Sequence, residues 1–207
     1  MKRNNEENAL HSVGFDFPAC FFFSYLTVNW SLEQWGEDEK TIIEKTSIGG
    51  PFSALRANGT QITWDDMKGR PHILFFGFTH CPDICPTTLH QIGLWLDQIG
   101  HEADKIDAYF VTVDPMRDKP EILSAYLSAF NKRITGITGS KNQIEKIIKA
   151  WGIFAEKVSF KDEDYVMNHI SSVYLMDSSG KFWGTIGHGE DMKIAKQKLL
   201  RLLSSAN

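Results

Sequence analysis

The chain has 207 residues, 42% of them hydrophobic and 23% charged, and this composition excludes a wholly disordered protein. Its net charge of −4, with no local basic run, argues against nucleic acid as a partner. Three cysteines are too few for a disulfide-stapled scaffold. The length fits one domain with an extension, or two very small domains.

Residues 1–48 are predicted to form an N-terminal extension that ends in a polar linker. Its charge-free run at 17–32 is shorter than the ~20 apolar residues of a membrane-spanning helix and includes Pro18. Glutamates near the start weaken a signal peptide's positive region, and no small-residue cleavage site follows. Two interpretations stay open for this run: a poorly ordered apolar extension, or a degenerate membrane anchor.

Regular secondary structure is predicted to begin near residue 49. Asn58-Gly59, between two short apolar segments, predicts a β-hairpin. The nearly continuous apolar runs at 72–78 and 108–113 predict central buried strands. Further strands are predicted at 134–137, 172–176 and 182–186, the last two forming a closing hairpin.

Apolar residues recur at helical spacing between these strands and after the last one. Four helices are predicted, with apolar faces within 89–99, 122–130, 144–151 and 194–203. Strands that alternate with helices imply crossover connections and a mainly parallel central sheet. We therefore predict one α/β domain over residues 49–207, with helices on both faces of the sheet.

Cys81 and Cys85 lie where the first buried strand gives way to a helix. Ligands of α/β sheets gather at the carboxyl ends of strands, so this is a favourable place for a site. A spacing of four puts both sulfurs on one helix face, with Cβ atoms ~5–6 Å apart. A helix N-terminus also lowers the pKa of a thiol. Such a pair can chelate a soft metal or close a disulfide.

A metal held by two sulfurs needs a third ligand, and the chain has seven histidines. His169 lies at the end of the predicted loop 164–168, just before the strand at 172–176. If that strand pairs with the first buried strand, this loop approaches the cysteines. His188 is the second candidate by position. The alternative is that the loop histidine is simply solvated.

Three separated motifs together resemble one protein family. They are Gly77–Pro86 with the sequence GFTHCPDICP, Val113–Asp118 with VDPMRD, and Asn168-His169 followed by Tyr174-Leu175. In this order they resemble the Sco/SenC family of copper chaperones, over about residues 49–203. The resemblance implies a thioredoxin-like fold and a copper site. It implies Cys81, Cys85 and His169 as the ligands of Cu(I) or Cu(II).

The resemblance also implies a function and a location. Its members deliver copper to, or assist maturation of, the binuclear copper centre of cytochrome c oxidase. The implied partners are the copper-bearing oxidase subunit, a copper donor and a thiol reductant. The implied location is the inner membrane, with the domain facing the periplasm or the mitochondrial intermembrane space. Attachment would run through residues 17–32.

The donor chemistry agrees with copper. Thiolates suit Cu(I), and an added imidazole also accommodates Cu(II). A structural zinc site usually has four ligands, and no fourth cysteine is present. Asp114, Arg117 and Asp118 have two interpretations: neighbours of the site that shape its loop or a docking surface, or a turn with a surface ion pair.

A second function is consistent with the same cysteines. Cys81 could attack a disulfide and Cys85 resolve it, so that the chain acts as a thiol–disulfide reductase for the oxidase. Copper binding should need His169, whereas dithiol exchange should not. A peroxiredoxin is disfavoured because Phe78 stands where that family has threonine. A copper- or redox-responsive sensor is the remaining alternative.

Overall fold

The computed structural model describes residues 48–160 and 164–205, which lie in a unit that begins at Ser47. The predicted extension, including the apolar run at 17–32, falls outside the described residues except for residue 48. None of the helices within the described ranges combines the length and apolar character that crossing a membrane requires.

A seven-stranded sheet in the order β2-β1-β5-β4-β3-β8-β9 forms the centre of this unit. Its strands are β1 (Ser53–Arg56), β2 (Gln61–Thr63), β3 (His72–Gly77), β4 (Asp107–Thr112), β5 (Ile134–Thr138), β8 (Val173–Met176) and β9 (Phe182–Ile186). The central strands β3, β4 and β5 are parallel. The flanking pairs are antiparallel. The predicted parallel centre with a hairpin at each end is therefore confirmed.

The apolar sequence of β3 explains its central position. All six of its residues are buried, as expected of a strand covered on both faces. Phe75 is paired with Phe110 of β4 on one side and Val173 of β8 on the other. The pairing of β3 with both neighbours places the end of β4 and the start of β8 beside the carboxyl end of β3.

In the described part of the chain, the sheet is covered by four α-helices: α1 (Ile84–Ile99), α2 (Pro120–Leu127), α3 (Lys141–Ala150) and α4 (Met192–Ser204). Local chemistry sets where they begin. Helix α2 opens with Pro120, which lacks an amide hydrogen that would otherwise be unpaired. Helix α3 starts with a capping box between Ser140 and Gln143, and Asp191 caps α4. Short 3-10 segments occupy Asp65–Met67 and Gly100–Lys105.

A separate two-stranded hairpin precedes β8. Its strands, β6 (Ala155–Ser159) and β7 (Tyr165–His169), pair antiparallel with each other. The prediction of a loop at 164–168 is therefore wrong for most of its residues. Four of the five β6 residues are exposed, so the segment lacks the apolar alternation by which a half-buried strand is recognised.

Candidate metal centre

The two cysteines lie at the junction between β3 and α1. The Cys81 amide donates to the Phe78 carbonyl at 3.2 Å, which closes a turn directly after the strand. Helix α1 begins at Ile84, so Cys81 precedes the helix and Cys85 lies in its first turn. The Cys85 amide points at Cys81 Sγ, 3.4 Å away. A helix N-terminus thus supplies a backbone donor to the Cys81 sulfur.

Glycine at position 77 leaves the space that the Cys85 sulfur occupies. A Cβ at this position would lie 2.8 Å from Cys85 Sγ and 2.8 Å from an edge atom of the Phe110 ring. Both distances are shorter than van der Waals contact. The last residue of β3 therefore has to be glycine for the sulfur to pack against the strand.

A buried carboxylate holds the start of the cysteine loop. Asp118, fully buried, accepts hydrogen bonds from the Thr79 amide at 3.1 Å and the Thr79 hydroxyl at 2.6 Å. The Thr112 hydroxyl donates a third bond, also at 2.6 Å. Burial raises the pKa of Asp118, while these bonds favour its ionised form. The sequence motif singled out Asp118, but it gave no indication of Thr79 as its partner.

His169 ends strand β7 and faces the cysteines. The pairing of β8 with β3, on which the sequence argument depended, brings the residues before β8 to the carboxyl end of β3. His169 Nδ1 lies 2.8 Å from the Ile170 carbonyl, and because a carbonyl only accepts, Nδ1 carries the proton. The lone pair of Nε2 is thereby free, and it lies 3.5 Å from Cys85 Sγ.

Aromatic rings hold the imidazole from the sheet side. The His169 ring packs edge-on against Phe78 and Phe75, with ring centres 5.7 and 6.5 Å apart. Both phenylalanines are at least 98% buried. Apolar contacts of this kind fix the ring without competing for its nitrogen.

The ligand atoms of Cys81, Cys85 and His169 all lie within 4.8 Å of one another. Cys85 is buried, whereas Cys81 and His169 are half-buried, so the cluster is reachable from one side. Within residues 48–160 and 164–205, no other histidine, cysteine or carboxylate joins a potential metal cluster of three. His188, the second candidate by position, instead lies 3.2 Å from the Thr88 hydroxyl.

The pKa values of the two thiols are shifted in opposite directions. The hydrogen bond from the Cys85 thiol lowers the pKa of Cys81, and backbone amides of Asp83 and Cys85 act in the same direction. The same bond, together with burial, raises the pKa of Cys85. The pair therefore holds one thiolate, on the more exposed sulfur, and one thiol.

The Asp114–Arg117 ion pair, at 2.5 Å, joins a buried carboxylate to a half-buried guanidinium. Asp114 is 3% exposed and the Arg117 side chain 19% exposed. The predicted turn and ion pair are present, but the prediction of a surface location for this pair is wrong. Tyr165, which sequence reasoning missed, donates from its hydroxyl to Asp114 at 2.9 Å. Nothing in the local sequence distinguishes that tyrosine from other polar strand residues.

A family model and individual relatives of this chain point to the same protein family. The SCO1/SenC family model matches residues 40–204. Mitochondrial SCO2 of Saccharomyces cerevisiae is 35% identical over 156 residues, which are 74% of this chain and 52% of that protein. Sco1 of Schizosaccharomyces pombe is 35% identical over 75% of this chain and 61% of that protein. The chain thus spans about half to three fifths of the length of these relatives.

Solved structures agree with the fold and its family. Bradyrhizobium japonicum ScoI, described with copper bound, has a TM-score of 0.71 and 41% identity over 75% of this chain and 99% of its own. Yeast Sco1 with copper bound has a TM-score of 0.70 and 33% identity over 77% and 90%. The predicted thioredoxin-like α/β fold is confirmed. The chain belongs to the SCO1/SenC family.

Proposed function

We propose that this protein is a copper chaperone that binds one copper ion through Cys81, Cys85 and His169. The observation that carries the proposal is the convergence of two sulfurs and an imidazole nitrogen within 4.8 Å. Two similar Sco structures are described with copper bound, which supports copper as the metal. The resemblance of the sequence motifs to the Sco/SenC family supports the binuclear copper centre of cytochrome c oxidase as the receiving site.

The arrangement has the properties that copper transfer needs. Two sulfurs and one imidazole satisfy Cu(I), and the imidazole also permits Cu(II). Three protein ligands leave a coordination position for an incoming donor. Cys81 is half-exposed while Cys85 is buried, so a partner's ligand would approach past Cys81. Exchange would then proceed with Cys85 still holding the metal.

Anaerobic Cu(I) titration of the reduced full-length chain tests this proposal. We expect one copper per chain in the wild type and much weaker binding in His169→Ala. His90→Ala is the matched control, because His90 is an exposed histidine outside the ligand cluster. Absence of copper binding in the wild type would overturn the chaperone function. Tight binding that survives His169→Ala would remove the histidine from the ligand set.

A thiol–disulfide reductase is the second candidate, favoured by the half-exposed Cys81 and the buried Cys85 behind it. The Cys81 thiolate would attack a partner's disulfide and release one partner thiolate. Cys85 would then lose its proton and attack the Cys81 sulfur, releasing the second partner thiolate and leaving a Cys81–Cys85 disulfide. The two electrons pass from this dithiol to the partner. Disulfide reduction retained by His169→Ala, without copper binding by the wild type, would favour this function.

We further propose that residues 49–207 form the copper-binding domain and that residues 17–32 attach it to a membrane. The mitochondrial relatives support a domain facing the intermembrane space, or the periplasm in a bacterium. A charged substitution within the apolar run, such as Phe22→Asp, should release the full-length chain from isolated membranes into the soluble fraction. A wild-type chain found only in the soluble fraction would contradict the attachment.

A further inference from the structure

The hairpin that carries His169 is not part of the main sheet. In the described part of the chain, β6 and β7 pair only with each other. No backbone ladder therefore fixes β7 relative to β3, where the cysteine loop begins. Val166, Met167 and Ile170 pack partly buried against the core, but apolar contacts alone allow sliding. The pairing of β8 with β3 brings His169 near the sulfurs, but the orientation of the hairpin beyond it depends on side-chain contacts.

Arg117 makes such contacts at the opposite end of β7. Its Nη1 donates to the Tyr165 carbonyl at 3.0 Å, and its guanidinium lies 3.7 Å from the centre of the Tyr165 ring. Asp114 holds Arg117 from behind through the 2.5 Å bond to Nε. The Tyr165 hydroxyl donates to the other oxygen of Asp114 at 2.9 Å. These three residues, Asp114, Arg117 and Tyr165, are called the hairpin latch below.

The segment that bears the latch also supports the cysteines. Asp118, the residue after Arg117, bonds both the amide and the hydroxyl of Thr79, just before Cys81. Its carbonyl is anchored in turn by the Thr138 hydroxyl of β5 at 2.6 Å. Residues 114–118 therefore contact both halves of the ligand set: the cysteine loop through Asp118, and the histidine hairpin through Arg117.

We infer that Arg117, oriented by Asp114, is a positioning residue that sets the distance between His169 and the two sulfurs. This inference rests on the proposed copper-binding function. Tyr165 and His169 are four residues apart, about 13 Å along an extended strand. The latch holds one end of β7, and the Phe75 and Phe78 contacts hold the other. Without the latch, β7 is held at the histidine end alone.

The consequence depends on the oxidation state of copper. Cu(I) binds most strongly to soft thiolate ligands, and the latch does not touch the two sulfurs, so a shift of His169 should weaken Cu(I) binding far less than removal of the imidazole in His169→Ala. Cu(II) depends more on the imidazole nitrogen, so it should respond more strongly when His169 loses its position. Arginine suits the latch because a planar guanidinium can stack on Tyr165 while its edge bonds a carboxylate and a carbonyl. Lysine offers no such plane, so Arg117→Lys should not restore the wild-type Cu(II) site.

The test compares full-length Arg117→Ala, Arg117→Lys and Tyr165→Phe with the wild type. Lys157→Ala is the matched control, because Lys157 also lies 3.9 Å from the Tyr165 ring centre but is exposed. The readouts are Cu(I) affinity by competition, Cu(II) affinity, and the nitrogen coupling of bound Cu(II) in electron paramagnetic resonance. Circular dichroism verifies that each variant is folded.

For Arg117→Ala we expect a loss in Cu(II) affinity of about tenfold, as for other residues that orient a metal ligand. Its nitrogen coupling should weaken, with Cu(I) affinity within about threefold of wild type. Arg117→Lys should lose as much Cu(II) affinity and nitrogen coupling as Arg117→Ala. Tyr165→Phe should lose less of both, and Lys157→Ala should have the wild-type values. Wild-type Cu(II) spectra and affinity in Arg117→Ala would overturn the inference. Equal losses of Cu(I) and Cu(II) would also overturn it, since they would show a general structural role.

A different measurement decides the inference if the wild type binds no copper. Amide hydrogen exchange of the copper-free chain reports directly on how firmly β7 is held. Arg117→Ala should accelerate exchange within 165–169 relative to wild type and leave β3 and β4 unchanged. Unchanged exchange in β7 would overturn the latch. In this way failure of the copper function and failure of the latch give separate results.

Discussion

Two identical side chains acquire different chemistry at the residue scale because their surroundings differ. Cys81 sits before a helix with a backbone amide and a thiol directed at its sulfur. Cys85 is buried between the helix and the strand, with Gly77 beneath it. The first environment favours a thiolate and the second a protonated thiol. Nucleophilic attack and metal capture both begin at a thiolate, so Cys81 should react first in either function.

The acidity of Cys81 predicts its alkylation behaviour. Because its pKa is lowered, its reaction with iodoacetamide should reach half-maximal rate well below pH 8.5, the usual thiol midpoint. Replacing Cys85 with alanine removes the largest cause of the shift and should move the midpoint upward. Mass spectrometry of the reduced, metal-free chain over a pH series measures the rate at Cys81. A wild-type midpoint near 8.5, unchanged in Cys85→Ala, would contradict this assignment.

At the scale of elements, one segment after β4 organises the site. Asp118 accepts hydrogen bonds from the amide and hydroxyl of Thr79 and from the hydroxyl of Thr112. Thr112 ends β4, and Thr79 lies two residues after the end of the adjacent parallel strand β3. Parallel strands bring their carboxyl ends to the same sheet edge. A carboxylate in the next loop can therefore bond both. This places the cysteine loop relative to β4 as well as to β3.

Asp118→Ala should destabilise the chain because it leaves these donors without a partner in a buried site. Unpaired buried donors cost about 1–3 kcal/mol each, so we expect a loss of about 3 kcal/mol in the free energy of unfolding. Urea denaturation measures it. Asp65→Ala is the control: Asp65 pairs with Lys68 at the surface and its side chain is 85% exposed, so its removal should change little. Similar small losses in both variants would show that the Asp118 network contributes little.

Elements differed in how well the sequence predicted them. Strand β3 and helix α1 were predicted because apolar residues at fixed spacing directly reflect burial. Strand β7 was missed, since its burial comes from one polar latch and scattered apolar contacts. The Arg117–Tyr165 pair joins residues 48 positions apart, and local pattern carries no information on such a contact. The cysteines and His169 were predicted as ligands because metal donors are chemically distinctive even without structural context, and their ligand atoms lie within 4.8 Å of one another.

The whole molecule brings together three donors that are far apart in sequence. Cys85 and His169 are separated by 84 positions, and the antiparallel pairing of β8 with β3 closes that distance. The sequence argument for His169 assumed this pairing and could not predict it, because strand order depends on the packing of all the helices and strands. The fold thus holds the donors close before a metal arrives, which reduces the ordering that binding requires.

This preorganised, half-ionised site predicts how copper binding depends on pH. Cys81 is already a thiolate near neutrality, whereas the raised pKa of Cys85 keeps its proton in the copper-free chain. Copper needs both thiolates, so each ion should displace one proton, from Cys85. Cu(I) affinity should therefore rise about tenfold per pH unit between pH 7 and 8, until Cys85 ionises in the free chain. Anaerobic calorimetry in buffers with different ionisation enthalpies counts the protons released. Release of two protons per copper would mean that Cys81 is also protonated in the copper-free chain. Release of no proton would mean that Cys85 does not carry a proton that copper displaces.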